Sequence, residues 1–416
     1  MRSDSLVVNL STELRRLGAL PVGTETDKAD FLREYLLFTN RFFFEYRPNP
    51  DALNSPDPEY PAWKRHTEHL AIWDDYCRQI LGLTFSEPQI NNLAKVLVTI
   101  FSGISGQLPA PYAQNTGSVA GVSAAEYSFL RLLHATMDFS EELLPIDVPL
   151  VQKLKVAFSN QLPGPKELQT VEGANSLIEC FGGADRNVDE RRRYIQRACE
   201  RIDVQYGGQA MNIFTAHAKD AQAIFDALCA FKGIKAKKAN MILRDFYEMG
   251  IWVYAKNLHA INIIADNRVM RIALRTGILH LSTGKTFNDL LDQYDQQYVV
   301  LVQSTAEAFR RVWEKTAELN NGTHVVPYPG KFDELVFRLG GNCCKLNARV
   351  CESGRQSKTF HAWIKSKLNY STSQACPFSL VCPVELKKLN APFAIQNNTW
   401  NKIFTNDGGG GGLRGI

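Results

Sequence analysis

The sequence predicts an all-α protein. Three observations point there. Apolar residues recur at i, i+3, i+4 and i+7 along most of the chain. No segment sustains the every-second-residue alternation of a half-buried strand. Stretches rich in Pro, Asn and Gly, such as 47–63 and 106–117, separate the periodic segments as loops. The chain has 416 residues, 45% of them apolar and 22% charged. That composition is globular and gives room for two or three domains at about 100–200 residues each.

The helices are read in chain order. Asp30–Tyr46, Trp63–Ile80 and Pro88–Ile104 carry apolar residues at helical spacing, and Ala124–Met137 follows a Gly- and Ser-rich loop. Arg191–Asp203 is amphipathic and rich in Arg. Asp220–Ala230, Ala236–Met249 and Asp266–Thr276 follow with short connections, and Asp289–Leu319 supplies one or two more helices. The Gly-rich end is low in complexity and is expected to add nothing to a core. No apolar run reaches the roughly 18–20 residues of a membrane span. The first residues lack the apolar stretch and cleavage site of a secretion signal, so a soluble cytoplasmic protein is expected, nucleoid-associated if the source is bacterial.

The modest net charge of +4 conceals a gradient. Residues 1–165 hold 14 Lys and Arg against 19 Asp and Glu; residues 331–403 hold 11 against 4. The basic end suits a polyanion, although variation of a solvated surface produces such patches too. The nine cysteines are also uneven. Cys343, Cys344, Cys351, Cys376 and Cys382 fall within 40 residues. An odd count without a secretion signal favours a metal or cluster site over disulfides.

Two further segments carry chemistry. Phe231–Asn240 (FKGIKAKKAN) lies between two predicted helices. Gly233 permits a tight turn, and amides at the start of the next helix favour a phosphate oxygen. Lys235, Lys237 and Lys238 add positive charge there. The alternative is a plain helical hairpin with a solvated basic turn. In Ile263–Gly277 a carboxylate, Asp266, leaves an apolar run and opens an amphipathic helix. Helix capping is the plain alternative to catalysis.

These residues resemble the endonuclease III-like, helix-hairpin-helix DNA glycosylases. Gly233, Lys237, Ala239 and Asn240 match the pattern L-P-G-V-G-x-K-x-A-N, with Lys232 in place of its proline and Lys235 in place of its second glycine. Asp266, Val269, Arg271, Arg275, Thr276 and Gly277 match V-D-T-H-V-x-R-V-x-x-R-T-G. Cys344-x6-Cys351 and Cys376-x5-Cys382 reproduce the outer intervals of the family's C-x6-C-x2-C-x5-C motif, but 24 residues replace the central two. The likeness covers roughly 175–385, about half of the chain. The interval from Lys237 to Asp266 exceeds the family's usual one; the surplus lies in Glu248–His259, read either as a reshaped base pocket or as a surface elaboration.

The resemblance implies a two-lobed helical fold with a [4Fe–4S] cluster loop and an extra N-terminal helical region. Its parts would be an acidic helical region over 1–165, a glycosylase core over 166–335, a cluster and basic loop over 336–390, and a tail over 391–416. It implies a DNA glycosylase with abasic-site lyase activity that excises a modified or damaged base from double-stranded DNA. Lys237 would be the Schiff-base nucleophile and Asp266 the catalytic carboxylate. Lys235 and Lys238 would help to lower the nucleophile's pKa. Cys344, Cys351, Cys376 and Cys382 would hold the cluster, with zinc as the competing metal. Gly233, Lys235, Lys238, Lys345, Arg349, Arg355, Lys358 and Lys365 would contact DNA, with Phe360, His361, Trp363 and Tyr370 interleaved for base stacking. The expected state is a monomer with no membrane partner. The alternatives are a monofunctional glycosylase for a bulky hypermodified cytosine in phage DNA, which would make the role defence and not base excision repair, and a non-catalytic iron–sulfur DNA-binding protein.

Overall fold

The computed structural model describes parts of 16–34 and residues 83–103, 109–138, 143–183, 187–280, 296–344, 358–368 and 376–383. These residues are mostly helical, as the sequence predicts, and strand among them is confined to one two-stranded ribbon. In chain order the elements are β1 (Thr84–Phe85), α1 (Glu87–Phe101), α2 (Ala124–Met137), α3 (Val148–Ala157), α4 (Val171–Cys180), α5 (Val188–Tyr206), α6 (Ala221–Cys229) and α7 (Ala236–Glu248). They continue with α8 (Asn267–Thr276), β2 (Leu279–His280), α9 (Gln296–Leu319), α10 (Asp333–Asn342) and α11 (Lys358–Lys367). The expected helix over 63–80, most of the one over 30–46 and the C-terminal tail lie outside the described residues.

Local signals set most of the boundaries. The Ser123 hydroxyl accepts from the Glu126 amide while the Glu126 carboxylate accepts from the Ser123 amide at 2.7 Å, a capping box that opens α2. Asp147, Thr170 and Asp220 cap α3, α4 and α6 in the same sense. At its other end α5 stops at Gly207, in the left-handed conformation.

The described residues fall into two compact units, each drawn from separated stretches. The first takes the described residues of Met1–Ile104, Ala265–Val325 and Asp333–Asp407; the second takes those of Ser105–Ile264 and Val326–Phe332. Each unit thus joins stretches that are distant along the chain. Composition registers neighbours along the chain, whereas α1 finds its partner in α9, about two hundred residues later.

In the first unit α1 packs on α9, and α8 packs on both α9 and α10. The stripe of α1 is Ile90, Leu93, Ala94, Leu97 and Ile100, all buried, and α9 contributes Phe309 and Val312. The ribbon pairs Thr84 with His280 and Phe85 with Leu279, antiparallel. In the second unit α5 packs on α2 and α4, and α6 packs on α7. One continuous apolar core joins them, including Phe129, Leu133, Leu177, Ile195, Ile202, Ile224, Leu228 and Leu243. Among the described residues no helix is long and apolar enough to cross a membrane.

Candidate functional site

The connection between α6 and α7 is built around a position that only glycine satisfies. Phe231 and Ile234 are each 2% exposed and anchor the turn, which the Ile234 amide closes by donating to the Phe231 carbonyl at 3.0 Å. Gly233 has φ +86°, in the left-handed region. A Cβ there would overlap the Thr136 carbonyl oxygen and stand 2.9 Å from Tyr194 Cδ2. Lys235, in contrast, opens α7 with φ −114°, a conformation any residue adopts. That is why this turn accepts lysine where the glycosylase pattern has its second glycine.

The three lysines of the turn have different surroundings. Lys237 is half-buried in the first turn of α7. Lys235 is exposed as a residue, yet desolvation at its amine lowers its pKa. The Lys238 amine points back into the fold and donates to the Ala135 carbonyl at 2.7 Å and the Gly233 carbonyl at 2.9 Å. It ties the turn to the end of α2, where the sequence suggested a DNA contact. Asn240 is likewise committed inward: its Nδ2 donates to the Ala236 carbonyl and its Oδ1 accepts from the Asn262 amide at 2.9 Å.

Burial lowers the Lys238 pKa to about 8. The folded value lies below the unfolded one, so between these values the unfolded chain binds more protons. This group therefore makes the protein more stable as pH rises from about 8 towards 10.5. A Lys238→Met variant should lose that increment, which is at most about 1.4 kcal/mol per pH unit. Urea midpoints of both proteins across this range provide the check, and identical pH slopes would refute the assignment.

Asp266 caps α8. Its Oδ1 accepts from the Arg268 and Val269 amides, each at 2.9 Å, and the residue is 8% exposed. The capping role weighed at the sequence level is thus present. Lys237 belongs to the second unit and Asp266 to the first.

The cysteines gather around α8 and α10. The amides of Cys343 and Cys344 both donate to the Leu339 carbonyl, at 2.8 and 2.9 Å, so the pair rides on the end of α10. Beneath it lie Arg271 and Arg275, 0% and 2% exposed. Each donates through Nη1 to the Cys344 carbonyl, at 3.0 and 2.7 Å, and Arg275 Nη1 is also 3.0 Å from Cys344 Sγ. Burial pushes the Cys344 thiol up, against the pull of the two guanidinium groups. The Cys376 thiol meets Cys343, and that hydrogen bond together with burial pushes it well up. A turn over Cys376–Cys382, closed by the Cys382 amide on the Phe378 carbonyl at 3.1 Å, places Cys382 half-buried.

Thiols beside buried cations are chemically suited to an anionic thiolate–metal group. Cys351 lies outside the described residues, and among these no three His, Cys, Asp or Glu side chains converge as a metal site. Spacing named Cys344 over Cys343; in the structure Cys343 is buried and meets Cys376, and Cys344 is half-buried beside Arg275. The roles of Arg271 and Arg275 were not assigned from sequence; the signal was two arginines four residues apart on the amphipathic helix α8.

In α11, Phe360 and Ile364 are buried, Trp363 stacks near Phe360, and the Arg338 guanidinium lies 4.6 Å from the centre of the Trp363 ring. These two aromatics serve packing, where the sequence suggested base stacking; Lys365 is exposed. Lys345, Arg349, Arg355, Tyr370 and the side chains of Lys358 and His361 lie outside the described residues.

The segment over 248–259 is partly surface, with Ala255, Lys256, Asn257 and His259 exposed, and partly core. Trp252 is 1% exposed, packs edge-on to Phe246 at 4.6 Å and donates through Nε1 to Met211 Sδ at 3.2 Å. Tyr254 is buried too, and its hydroxyl donates to the Leu243 carbonyl at 3.0 Å. The segment completes the core of the second unit.

No family model and no curated protein matches the chain. The site therefore speaks through its own residues.

Proposed function

We propose that this protein is a DNA N-glycosylase with abasic-site lyase activity, built on a helix-hairpin-helix fold. The observation that carries the reading is the turn at Gly233, held by its left-handed backbone and by the close approach of Thr136, which sets Lys237 in the first turn of α7. A capping carboxylate, Asp266, and a cysteine pair backed by buried arginines stand in the chain order of that enzyme class.

The target base leaves the duplex for a pocket. The neutral Lys237 amine bonds to C1′ as the C1′–N bond breaks, and the base departs with the electron pair and takes up a proton. Ring opening with loss of the amine proton leaves the imine. Removal of a C2′ proton then expels the 3′ phosphate. Asp266 stabilises the positive charge that develops on the sugar. Cys344, Cys351, Cys376 and Cys382, with Cys343 beside them, would hold a [4Fe–4S] cluster, or zinc in its place. Such a group would supply structural rigidity and no step of the reaction.

Borohydride added during turnover of duplexes bearing modified bases should trap a covalent protein–DNA complex. Lys237→Ala should lose that complex, a fall of at least about 100-fold in trapped product. Base release without trapping would replace the lyase with a monofunctional glycosylase. Absence of both base release and trapping across damaged and phage-type modified DNA would overturn the enzymatic reading.

A further inference from the structure

The adjacent cysteines at the end of α10 divide their thiols between different neighbours. Cys344 turns to α8: its carbonyl accepts from Arg271 and Arg275, and its sulfur accepts from Arg275 Nη1 at 3.0 Å. Cys343 turns to the other cysteine segment, where its thiol is in hydrogen-bond contact with the Cys376 thiol. Cys343 and Cys376 are 2% and 8% exposed, and all of these residues belong to the first unit.

The surroundings of Cys376 suit a thiolate. Its sulfur accepts from the backbone amides of Phe378 and Ser379, two and three residues on. The Ser379 amide also reaches the Cys376 carbonyl at 3.0 Å, and the Cys382 amide closes the turn on the Phe378 carbonyl. Amides aimed at a sulfur favour its anionic form, because they donate to negative charge. A buried anion also needs a cation. Cys343 brings a second sulfur to that place.

Sulfur spacing then selects the cation. On one tetrahedral zinc ion, with Zn–S bonds of about 2.3 Å, two sulfurs stand about 3.8 Å apart, in contact with each other. In a [4Fe–4S] cluster each thiolate takes its own iron, and the inorganic core keeps the cysteine sulfurs apart. Two thiols that share a hydrogen bond fit the first arrangement.

We propose that Cys343 and Cys376 are two ligands of a single tetrahedral zinc ion, and that Cys344 stands outside its coordination sphere as a partner of Arg275. Cys382 and Cys351 are left to complete the four. This rests on the cysteine part of the reading above, chooses zinc over the cluster and exchanges Cys344 for Cys343. It is independent of the lyase chemistry. The thiol protons leave for solvent as the ion enters, so affinity rises with pH.

The test uses the full chain. Elemental analysis of the purified protein should find about one zinc ion per chain, and incubation with iron and sulfide under anaerobic conditions should give no broad absorbance near 400 nm. Cobalt titrated into chelator-treated protein should give a thiolate-to-cobalt charge-transfer band. Cys343→Ser should weaken that band by about a quarter, one thiolate of four, and lower cobalt affinity by at least about 100-fold. Cys344→Ser should keep the band and lose less than about 10-fold in affinity. Thermal melts establish that each variant is folded; should Cys343→Ser unfold, Cys344→Ser decides alone. Loss of the band in folded Cys344→Ser overturns the ligand assignment, as does an unchanged band in Cys343→Ser. A disulfide between Cys343 and Cys376 in the purified chain overturns it as well. A four-iron cluster overturns the choice of zinc. A wild-type chain that binds neither metal yet releases bases overturns this site and leaves the glycosylase reading standing. Zinc bound in this way, without base release on any DNA, supports the site and overturns that reading.

Discussion

Asp266→Asn should lower single-turnover base release by about 1,000-fold while duplex affinity and melting temperature stay near wild type. The separation of the two effects follows from the cap. Asp266 uses Oδ1 to accept from the Arg268 and Val269 amides. An asparagine carbonyl takes the same two bonds, and Asn ranks with Asp as a cap residue. The substitution thus removes the negative charge and keeps the start of α8. Asp266→Ala removes both and should add a stability loss of about 1 kcal/mol. Mass spectrometry of released bases, beside thermal melts of both variants, separates the two roles. Full base release by Asp266→Asn would leave this residue as a cap and nothing more.

The second large effect concerns the turn. Gly233→Ala should destabilise the second unit by about 3 kcal/mol and abolish duplex binding. Two costs add. At φ +86° an L side chain is strained. The new Cβ also meets the Thr136 backbone oxygen, which belongs to α2 and cannot swing aside as a side chain would. Relieving the overlap means separating the turn from α2, and that separation breaks the Lys238 bond to the Ala135 carbonyl. Hydrogen exchange should locate the loss in α6, α7 and the end of α2. A Gly233→Ala protein with wild-type melting and exchange would show that the turn is not locked in this way.

Much of the fold was legible in the sequence. Helix α2 spans Ala124–Met137, the residues read from the periodic pattern, because Ser123 and Glu126 mark its start within four residues. The hairpin turn was legible for the same reason: Gly233 and the apolar pair Phe231 and Ile234 are local signals. The direction of Lys238 was not. Three lysines within four positions look alike along the chain, and only the carbonyls of residues 135 and 233 distinguish one from the others. The segment over 248–259 gave no sign of its burial either. Its aromatics are ambiguous until Met211, Phe214 and Phe246 surround them. The cysteine spacing named thiols but not their company, because Arg271 and Arg275 lie about seventy residues away in sequence.

The sequence by itself determined the helical class, the bounds of α2, α6, α7 and α8 to within a residue, the glycine-dependent turn and the capped start of α8. Each of these rests on interactions within about four residues, and such interactions leave their marks at fixed spacing. The tertiary structure alone decided which lysine turns inward, which aromatics are core, and that α1 packs on α9 across the chain. Those outcomes depend on which distant surfaces exclude water together. Burial is non-directional and carries no sequence spacing of its own.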